Sequence, residues 1–233
     1  MGLQGPGHAV TWVAILGLAS APPAVAPRNA RLPAPVSGRL SVIERGNKPA
    51  SDVGTAVLWL DAPGTRPPPP KTVDVITEGK EFRPRVTVIP VGSTINFPNN
   101  DPFNHNVFSV SQEATFDLGL FGRKQSKSVT FTRPGIVRVF CNVHAGMAAF
   151  VLVRENGFYT QPEGDGSFTL PSVAPGRYAL HVWHERATPL AQHIDVGPRG
   201  LTALLLEMDA RGYKFVQHLN KFGQPYSRGG ARY

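Results

Sequence analysis

One short stretch of the 233-residue chain, FCNVHAGMAAF, carries three side chains that bind soft metal ions. Cys141 is the only cysteine in the chain, His144 follows three residues later, and Met147 follows three residues after that. Val137, Val139 and Cys141 alternate along a predicted strand, so the thiol should point to the same side of the sheet as two valines. The connection that follows is short enough to bring a thiolate, an imidazole and a thioether around one point.

A fourth ligand has to come from a distant part of the chain. His105, in NFPNNDPFNHNVF, stands after a turn rich in Asn, Asp and Pro, and it is the only other histidine between residues 72 and 153. One thiolate, two imidazoles and a thioether suit copper that alternates between Cu(I) and Cu(II), as in blue-copper sites. Zinc favours four strong nitrogen or sulfur donors, and a thioether is a weak one. The alternative interpretation is an inert, buried strand cysteine near an unrelated histidine.

Residues 72 to 153 must supply the scaffold, and they contain strand patterns at close intervals without a convincing helical period. The predicted strands are VDVIT, RVTVIPV, STINFPN, NVFSV, SVTFT, IVRVFC and MAAFVLV. The Pro134-Gly135 pair predicts a tight turn before the strand that ends at Cys141. Seven or eight strands in roughly 80 residues predict a compact β-sandwich or barrel, and the whole chain is predicted to be all-β.

Residues 72–154 resemble the plastocyanin–amicyanin cupredoxins. The resemblance rests on EFRPRVTVIPVGSTINFPNND leading to HNVF, and on RPGIVRVFCNVHAGM, whose Cys-x₂-His-x₂-Met spacing is that of the short amicyanin loop. It implies a Greek-key copper domain that holds one mononuclear type 1 copper ion. The ligands that it implies are His105, Cys141, His144 and Met147.

The same resemblance implies roles for the neighbouring residues. The side chain of Asn106 should hydrogen-bond to hold the cysteine loop, which would fix the ligands in one geometry for both oxidation states. The ring edge of His144, near the surface among Ala145 and Ala148, should be the place where electrons enter and leave. The resemblance therefore implies an electron-transfer protein rather than an enzyme, with a cytochrome or a dehydrogenase as its redox partner.

Strand patterns also lie on both sides of this region. GDGSFTLPSVAPGRYALHVWHE, in residues 156–209, resembles the carboxypeptidase regulatory-like β-sandwich, an immunoglobulin- or transthyretin-like module. Its first two strands would be VSGRL and TAVLWL, in residues 34–62, ahead of the proline-rich linker PGTRPPPPK at 63–71. Bacterial proteins of this two-part make-up are often labelled methylamine utilisation proteins.

We expect residues 34–62 to pair with residues 156–209, so that the copper domain is inserted into an outer sandwich. The physical reason is that neither fragment alone has enough strands to bury a core. The alternative is three consecutive units along the chain.

The start of the chain has the pattern of a signal peptide. An apolar stretch from Ala9 to Ala19 is shorter than the ~20 residues of a membrane-spanning helix, and Ala24-Val25-Ala26 offers a cleavage site. Residues 1–26 are therefore predicted to be removed, and the protein to be periplasmic or secreted, with no transmembrane segment. The alternative is a disordered, alanine-rich start. A single cysteine in an oxidising compartment should be buried or engaged.

The chain is basic, with a formal net charge of +8. Residues 210–233 form a basic, aromatic tail with five Lys or Arg residues and no acidic one. This charge favours an acidic partner protein or an anionic lipid or wall polymer, whereas no motif indicates nucleic acid. The alternative is a solvated tail without a partner. The tail aromatics, Tyr213, Phe215, Phe222 and Tyr226, are expected to pack back on the domain.

The leading hypothesis is an exported one-electron carrier that contains copper. Two other classes of function remain open: copper sequestration or delivery, and a surface or carbohydrate-binding sandwich with an accessory copper domain. His181, His184 and His193 in the outer sandwich invite a second metal site. No acidic cluster accompanies them in the sequence, and His181 and His184 should point to opposite faces of a strand.

Overall fold

The computed structural model describes Met1, Gly2 and residues 33–226. These residues form strands and one short 3-10 helix, Val53–Thr55, which confirms the all-β prediction. No helix among them is long and apolar enough to cross a bilayer. The predicted signal peptide lies outside the described residues apart from its first two.

The strands follow one another with short connections. They are β1 (Ala34–Glu44), β2 (Lys48–Pro49), β3 (Val57–Asp61), β4 (Thr72–Asp74), β5 (Ile76–Glu78), β6 (Glu81–Arg83), β7 (Val86–Pro90), β8 (Ser93–Pro98), β9 (His105–Ser111), β10 (Ala114–Phe121), β11 (Ser126–Phe131), β12 (Gly135–Cys141), β13 (Ala148–Arg154), β14 (Tyr159–Thr160), β15 (Ser167–Val173), β16 (Gly176–Trp183), β17 (Leu190–Val196) and β18 (Leu201–Asp209).

Strands from the two ends of the described chain build one pair of sheets, which we call the outer sandwich. One sheet has the order β15-β1-β18, with β2 paired to β1, and the other has the order β14-β3-β16-β17. β1 runs antiparallel to β15 and parallel to β18, while β3 runs antiparallel to β14 and β16. Strands that precede residue 62 therefore pair with strands that follow residue 158.

Alternating apolar residues of these strands fill one core. Leu40 and Val42 of β1, Leu58 and Leu60 of β3, and Leu180 of β16 are all at most 2% exposed and belong to one buried cluster. Burial of each such side chain stabilises the fold by about 1.5–3 kcal/mol. The period-two alternation thus explains why both sheets present their apolar faces to each other.

The intervening residues build the second sandwich, which we call the inner sandwich. It contains a five-stranded sheet of order β10-β9-β12-β13-β7, a three-stranded sheet of order β11-β8-β4, and the hairpin β5-β6. On β12, Val137, Val139 and Cys141 are each 0% exposed and belong to the same core cluster, so the predicted alternation is confirmed.

A separate apolar cluster lies where the two sandwiches meet. Val57 and Trp183 of the outer sandwich pack with Val86, Phe150 and Leu152 of the inner one.

Polar contacts reinforce this junction. Arg85 donates to both carboxylate oxygens of Glu185, at 2.6 and 2.7 Å, and the guanidinium of Arg154 lies 4.2 Å from the centre of the Trp59 ring. Such a bidentate pair fixes orientation as well as distance. The two sandwiches are therefore packed together rather than joined only by the chain.

Two strands of the inner sandwich were not predicted. β6 has only three residues, and β10 lies at the edge of its sheet. In β10 the pairing with β9 shifts between Asp117 and Leu120, and Gly119 has a φ of +65°. This bulge breaks the alternation that would otherwise mark a strand.

Candidate metal centre

Two connections at one end of the inner sandwich bring three donor atoms together. His105 is the first residue of β9 and Cys141 is the last of β12, and these strands are paired with Cys141 opposite Val107. The Cys141 Sγ atom lies 3.6 Å from His105 Nδ1 and 3.9 Å from His144 Nδ1. All three donor atoms lie within 4.8 Å of one another, and within residues 33–226 no second group of this kind occurs.

The loop that carries His144 is closed by its own backbone. The Met147 N–H donates to the His144 carbonyl at 3.0 Å, and the Cys141 N–H donates to the Met147 carbonyl at 3.2 Å. Cys141 and His105 are 0% exposed and Met147 is 1% exposed, whereas His144 is half-buried. The donors therefore sit below the surface, with the imidazole of His144 nearest to solvent.

The spacing of the donors fits a single bound ion. A nitrogen ~2.0 Å and a sulfur ~2.3 Å from one ion, with ~120° between them, are ~3.7 Å apart. The observed sulfur-to-nitrogen distances of 3.6 and 3.9 Å are close to that value. Zinc and copper both accept this spacing, but one thiolate and two imidazoles beside a buried thioether favour copper.

Burial is the main influence on the pKa values of two of the donors, Cys141 and His144. Burial raises the pKa of the Cys141 thiol, partly offset by backbone hydrogen bonds from Asn106, Val143 and His144. Burial lowers the pKa of His144, and the nearby His105 and Lys80 lower it further. The imidazole is thus ready to bind a metal at neutral pH, and the metal must displace the thiol proton.

The Asp101 carboxylate contacts the buried His105 imidazole at Nε2, the ring nitrogen that does not face Cys141. Asp101 Oδ2 lies 2.8 Å from His105 Nε2, and Asp101 also accepts hydrogen bonds from the Gly79 and Lys80 N–H groups at 2.8 and 3.0 Å. Burial opposes ionisation of Asp101, but these hydrogen bonds outweigh it and lower the pKa of the carboxyl. The carboxylate therefore places the ring proton on Nε2 and leaves the Nδ1 lone pair facing Cys141.

Replacing Asp101 with alanine should lower copper affinity about 10- to 100-fold, because the His105 ring loses the partner that fixes its tautomer and orientation. Asp101→Asn, which keeps one acceptor oxygen, should have a smaller effect. Affinity is measured by competition with a chromophoric chelator. Asp74→Ala removes an exposed carboxylate of the same sandwich and serves as the control. Equal affinities for Asp101→Ala and Asp74→Ala would contradict the role assigned to Asp101.

The side chain and the backbone of Asn106 make different contacts in the structure. Its Nδ2 donates to Asp117 Oδ1 at 2.6 Å, and its buried Oδ1 atom has no hydrogen-bond partner. Its backbone contacts the loop instead, because the carbonyl accepts from the Asn142 N–H at 3.3 Å and the N–H reaches Cys141. The described contacts between β9 and the loop are thus made by the backbone of Asn106, and the role of its side chain stays a prediction.

The C-terminal tail was not predicted to approach this site, yet it contacts the ligand loop. The Tyr226 hydroxyl donates to the Cys141 carbonyl at 2.6 Å, and the Lys221 N–H donates to Asn142 Oδ1 at 2.9 Å. The His218 ring stacks on Phe140 with centroids 4.2 Å apart. The positive charge of the tail could be predicted from its five basic residues and the absence of acidic ones. No sequence pattern predicted the contacts with the ligand loop.

An ion pair also anchors the tail to β10. Lys221 Nζ lies 2.6 Å from Asp117 Oδ2, on the carboxylate that also accepts from Asn106. Partial burial opposes ionisation of Asp117, but the hydrogen bonds from Lys221 and Asn106 outweigh it and lower the pKa. The Asp117 carboxylate is therefore ionised at neutral pH, and its contact with Lys221 links the tail to β10, the strand that lies beside β9.

The other histidines singled out in the sequence do not converge. His181 Nε2 lies 2.8 Å from Asp61 Oδ2 and its ring stacks on Trp59, while the buried His184 accepts from the Arg186 N–H at 3.3 Å. His193 is exposed. These contacts describe ordinary structural histidines rather than a second metal site.

The chain matches no protein-family model and no curated protein. Among solved structures, it is similar to the copper-containing nitrite reductase (NirK) of Thermus scotoductus SA-01, with 30% identity and a TM-score of 0.35, over 41% of this chain and 25% of that one. It is also similar to a methionine-to-alanine variant of amicyanin in the Cu(I) form, with 20% identity and a TM-score of 0.34, over 42% and 98%.

An oxidized proline-to-alanine variant of amicyanin gives 23% identity and a TM-score of 0.34 over the same shares of the two chains, 42% and 98%. The chain thus spans about a quarter of the nitrite reductase and nearly all of amicyanin. None of these comparisons supports the likeness to the carboxypeptidase regulatory-like sandwich or the methylamine utilisation label. Each of these similarities extends over less than half of this chain's own length.

Proposed function

We propose that this chain is an exported type 1 copper protein that carries single electrons between partner proteins. One observation carries the proposal: the Cys141 sulfur and one ring nitrogen each from His105 and His144, supplied by two distant segments of the chain, lie within 4.8 Å of one another. Met147 is the proposed fourth, axial ligand, because it is buried in the same core cluster as Cys141. Copper in this set would supply a Cu(II)/Cu(I) couple.

The protein's contribution is rigidity around the donors. Cys141 is held at the end of a paired strand, His105 is held by Asp101, and the loop is closed by backbone hydrogen bonds at both ends. Donors that keep their positions in both oxidation states reduce the reorganisation that accompanies electron transfer. The half-buried ring of His144 is the proposed place of exchange, since it is the donor nearest to solvent.

The burial of the donors favours an electron carrier over copper delivery. Release to a partner requires donors that the partner can reach, whereas Cys141 and His105 are 0% exposed and Met147 is 1% exposed. A catalytic copper site requires an open coordination position for substrate. Four protein ligands beneath the surface would leave none, so we propose no bond chemistry for this site.

We also propose a domain organisation. The copper domain comprises residues 72–154 and is inserted, after the linker at 63–71, into an outer sandwich made of residues 34–62 and 156–209, with a basic tail at 210–233. The pairing of β1 with β15 and β18 supports this division, as does the pairing of β3 with β16. Export is proposed from the predicted signal peptide, and the burial of the single cysteine agrees with an oxidising compartment, where an exposed thiol would react.

Voltammetry of the copper-loaded protein tests the proposed function. We expect one reversible one-electron wave and rapid oxidation of the reduced protein by hexacyanoferrate(III), because a rigid site exchanges electrons without rearranging. The metal-free protein serves as the control and should show neither. Slow, irreversible exchange accompanied by copper loss to a chelator would instead favour sequestration or delivery.

A further inference from the structure

A groove of about 420 Å³ lies beside the metal centre, between the inner sandwich and the tail. The tail, residues 213–219, forms one wall. Phe140 of β12 and Phe150 of β13 contribute an apolar surface, and Ala145 and Gly146 of the ligand loop form part of the lining. The groove is thus made jointly by the scaffold, the ligand loop and the tail.

The charge of the groove is positive and unbalanced. It is lined by the cations Arg85, Arg138 and Lys214 and by one carboxylate, that of Glu185. Glu185 is fully engaged by Arg85 in a bidentate pair. Among the residues that the structure describes, Arg138 and Lys214 make no ion pair, and both are exposed. Two cations in the groove therefore remain available to carboxylates of a partner.

The wall of the groove also exposes large apolar side chains. Phe215 is 68% exposed, Val216 is 80% exposed and Leu219 is 50% exposed. The expectation that the tail aromatics pack back on the domain therefore holds for Tyr226 but not for Phe215 or for Phe222, which is 71% exposed. Exposed apolar side chains grouped beside unpaired cations are typical of a protein-docking surface, where an apolar centre is surrounded by a charged rim.

The position of the groove connects it with electron transfer. Ala145, in its lining, directly follows His144, and the His218 ring of its tail wall stacks on Phe140, which directly precedes Cys141. A molecule seated in the groove would thus lie one residue from two of the proposed ligands. A docking surface on an electron carrier has to bring the redox centre of the partner close to that of the carrier.

We propose that this groove docks the redox partner, and that the partner is a protein with an acidic rim around an apolar contact patch. The proposal rests on the proposed function and names the surface by which the partner is held. The net charge of +8 would attract an acidic partner to the protein, and the unpaired cations of the groove would favour docking there. A concave groove with apolar walls fits protruding side chains of a protein better than the flat surface of an anionic membrane.

Charge reversal in the groove tests the proposal. The variant Arg138→Glu/Lys214→Glu is compared with Lys48→Glu/Arg199→Glu, which makes the same change in net charge at exposed cations of the outer sandwich. An acidic c-type cytochrome is the probe. At low salt, the groove variant should lower the bimolecular electron-transfer rate constant about tenfold or more relative to the control variant, and the difference should shrink as salt is added.

A second pair of variants tests the apolar wall. Phe215→Ala/Val216→Ala should weaken binding of the same cytochrome several-fold without changing its salt dependence, because only apolar contact is lost. Leu205→Ala removes a 78% exposed leucine of the outer sandwich and should have no effect. Binding is measured by NMR titration of the metal-free as well as the copper-loaded protein, so this readout does not depend on electron transfer.

The outcomes separate the two proposals. If exchange with hexacyanoferrate(III) were normal but the groove and control variants had equal electron-transfer rate constants with the cytochrome, the docking proposal would be overturned. The carrier function would not be affected. Absence of exchange with hexacyanoferrate(III) would overturn the carrier function. The docking proposal would still be tested by NMR titration of the metal-free protein and its variants with the cytochrome. A third measurement is co-sedimentation with phosphatidylglycerol vesicles. If the Arg138→Glu/Lys214→Glu variant no longer sedimented with the vesicles but still bound the cytochrome normally, the groove cations would be assigned to a membrane and the proposal would be overturned.

Discussion

Replacing Cys141 with serine should abolish the intense visible colour expected of the Cu(II)-loaded protein. That colour arises from charge transfer between a cysteine thiolate and Cu(II), and a serine hydroxyl is a hard donor that stays protonated at neutral pH. Cys141 contributes the only thiol in the chain, so no other residue can replace it. Absorption spectroscopy and electron paramagnetic resonance of the copper-loaded variant check the prediction.

The same variant places a hydroxyl in a buried position, which by itself costs about 1–3 kcal/mol. Val139→Thr is the matched control, since it adds a hydroxyl two residues earlier on the same buried face of β12. It should lose some stability and keep the colour. A Cys141→Ser protein that remains intensely blue or green would show that the thiolate is not a ligand, and the proposed function would fail with it.

Replacing Gly166 with alanine should destabilise the outer sandwich by about 3 kcal/mol or more. Gly166 has a φ of +84°, where an L-residue is strained by about 1–2 kcal/mol. An added Cβ would also lie 2.2 Å from the backbone carbonyl oxygen of Leu40. The backbone cannot move away freely, because the Leu40 N–H donates to the Gly166 carbonyl at 2.8 Å.

Gly164 provides the control in the same turn. It has no positive φ, and a Cβ there would meet nothing within 4 Å, so Gly164→Ala should change stability by no more than about 0.5 kcal/mol. Urea unfolding followed by circular dichroism measures both variants. Equal midpoints for the two would contradict the strain and close contact assigned to Gly166.

The local parts of the candidate site could be predicted from the sequence. Alternation along β12 places Cys141 on the buried face, and a short connection keeps His144 nearby, because both follow from backbone geometry over a few residues. His105 could be selected because no other histidine lies between residues 72 and 153 outside that loop.

The contacts that depend on tertiary structure could not be predicted in the same way. Asp101 lies four residues before His105, but an aspartate in a turn usually binds its own backbone, so its bond to the imidazole gives no distinct pattern. The contact of Tyr226 with the Cys141 carbonyl joins residues 85 positions apart. The edge strand β10 was missed because its bulge at Gly119 disturbs the alternation.

The pairing of early strands with late ones has a consequence for biosynthesis. β1 and β3 leave the ribosome more than a hundred residues before β15, β16 and β18, so their apolar faces and unpaired edges stay uncovered until those strands are made. If the inner sandwich folds in the interval, it shortens the effective distance between the early strands and the late ones, since closing a compact loop costs less entropy than closing a loose one. Early folding of the inner sandwich would thus help β1 and β3 to pair with the strands that are synthesised after it.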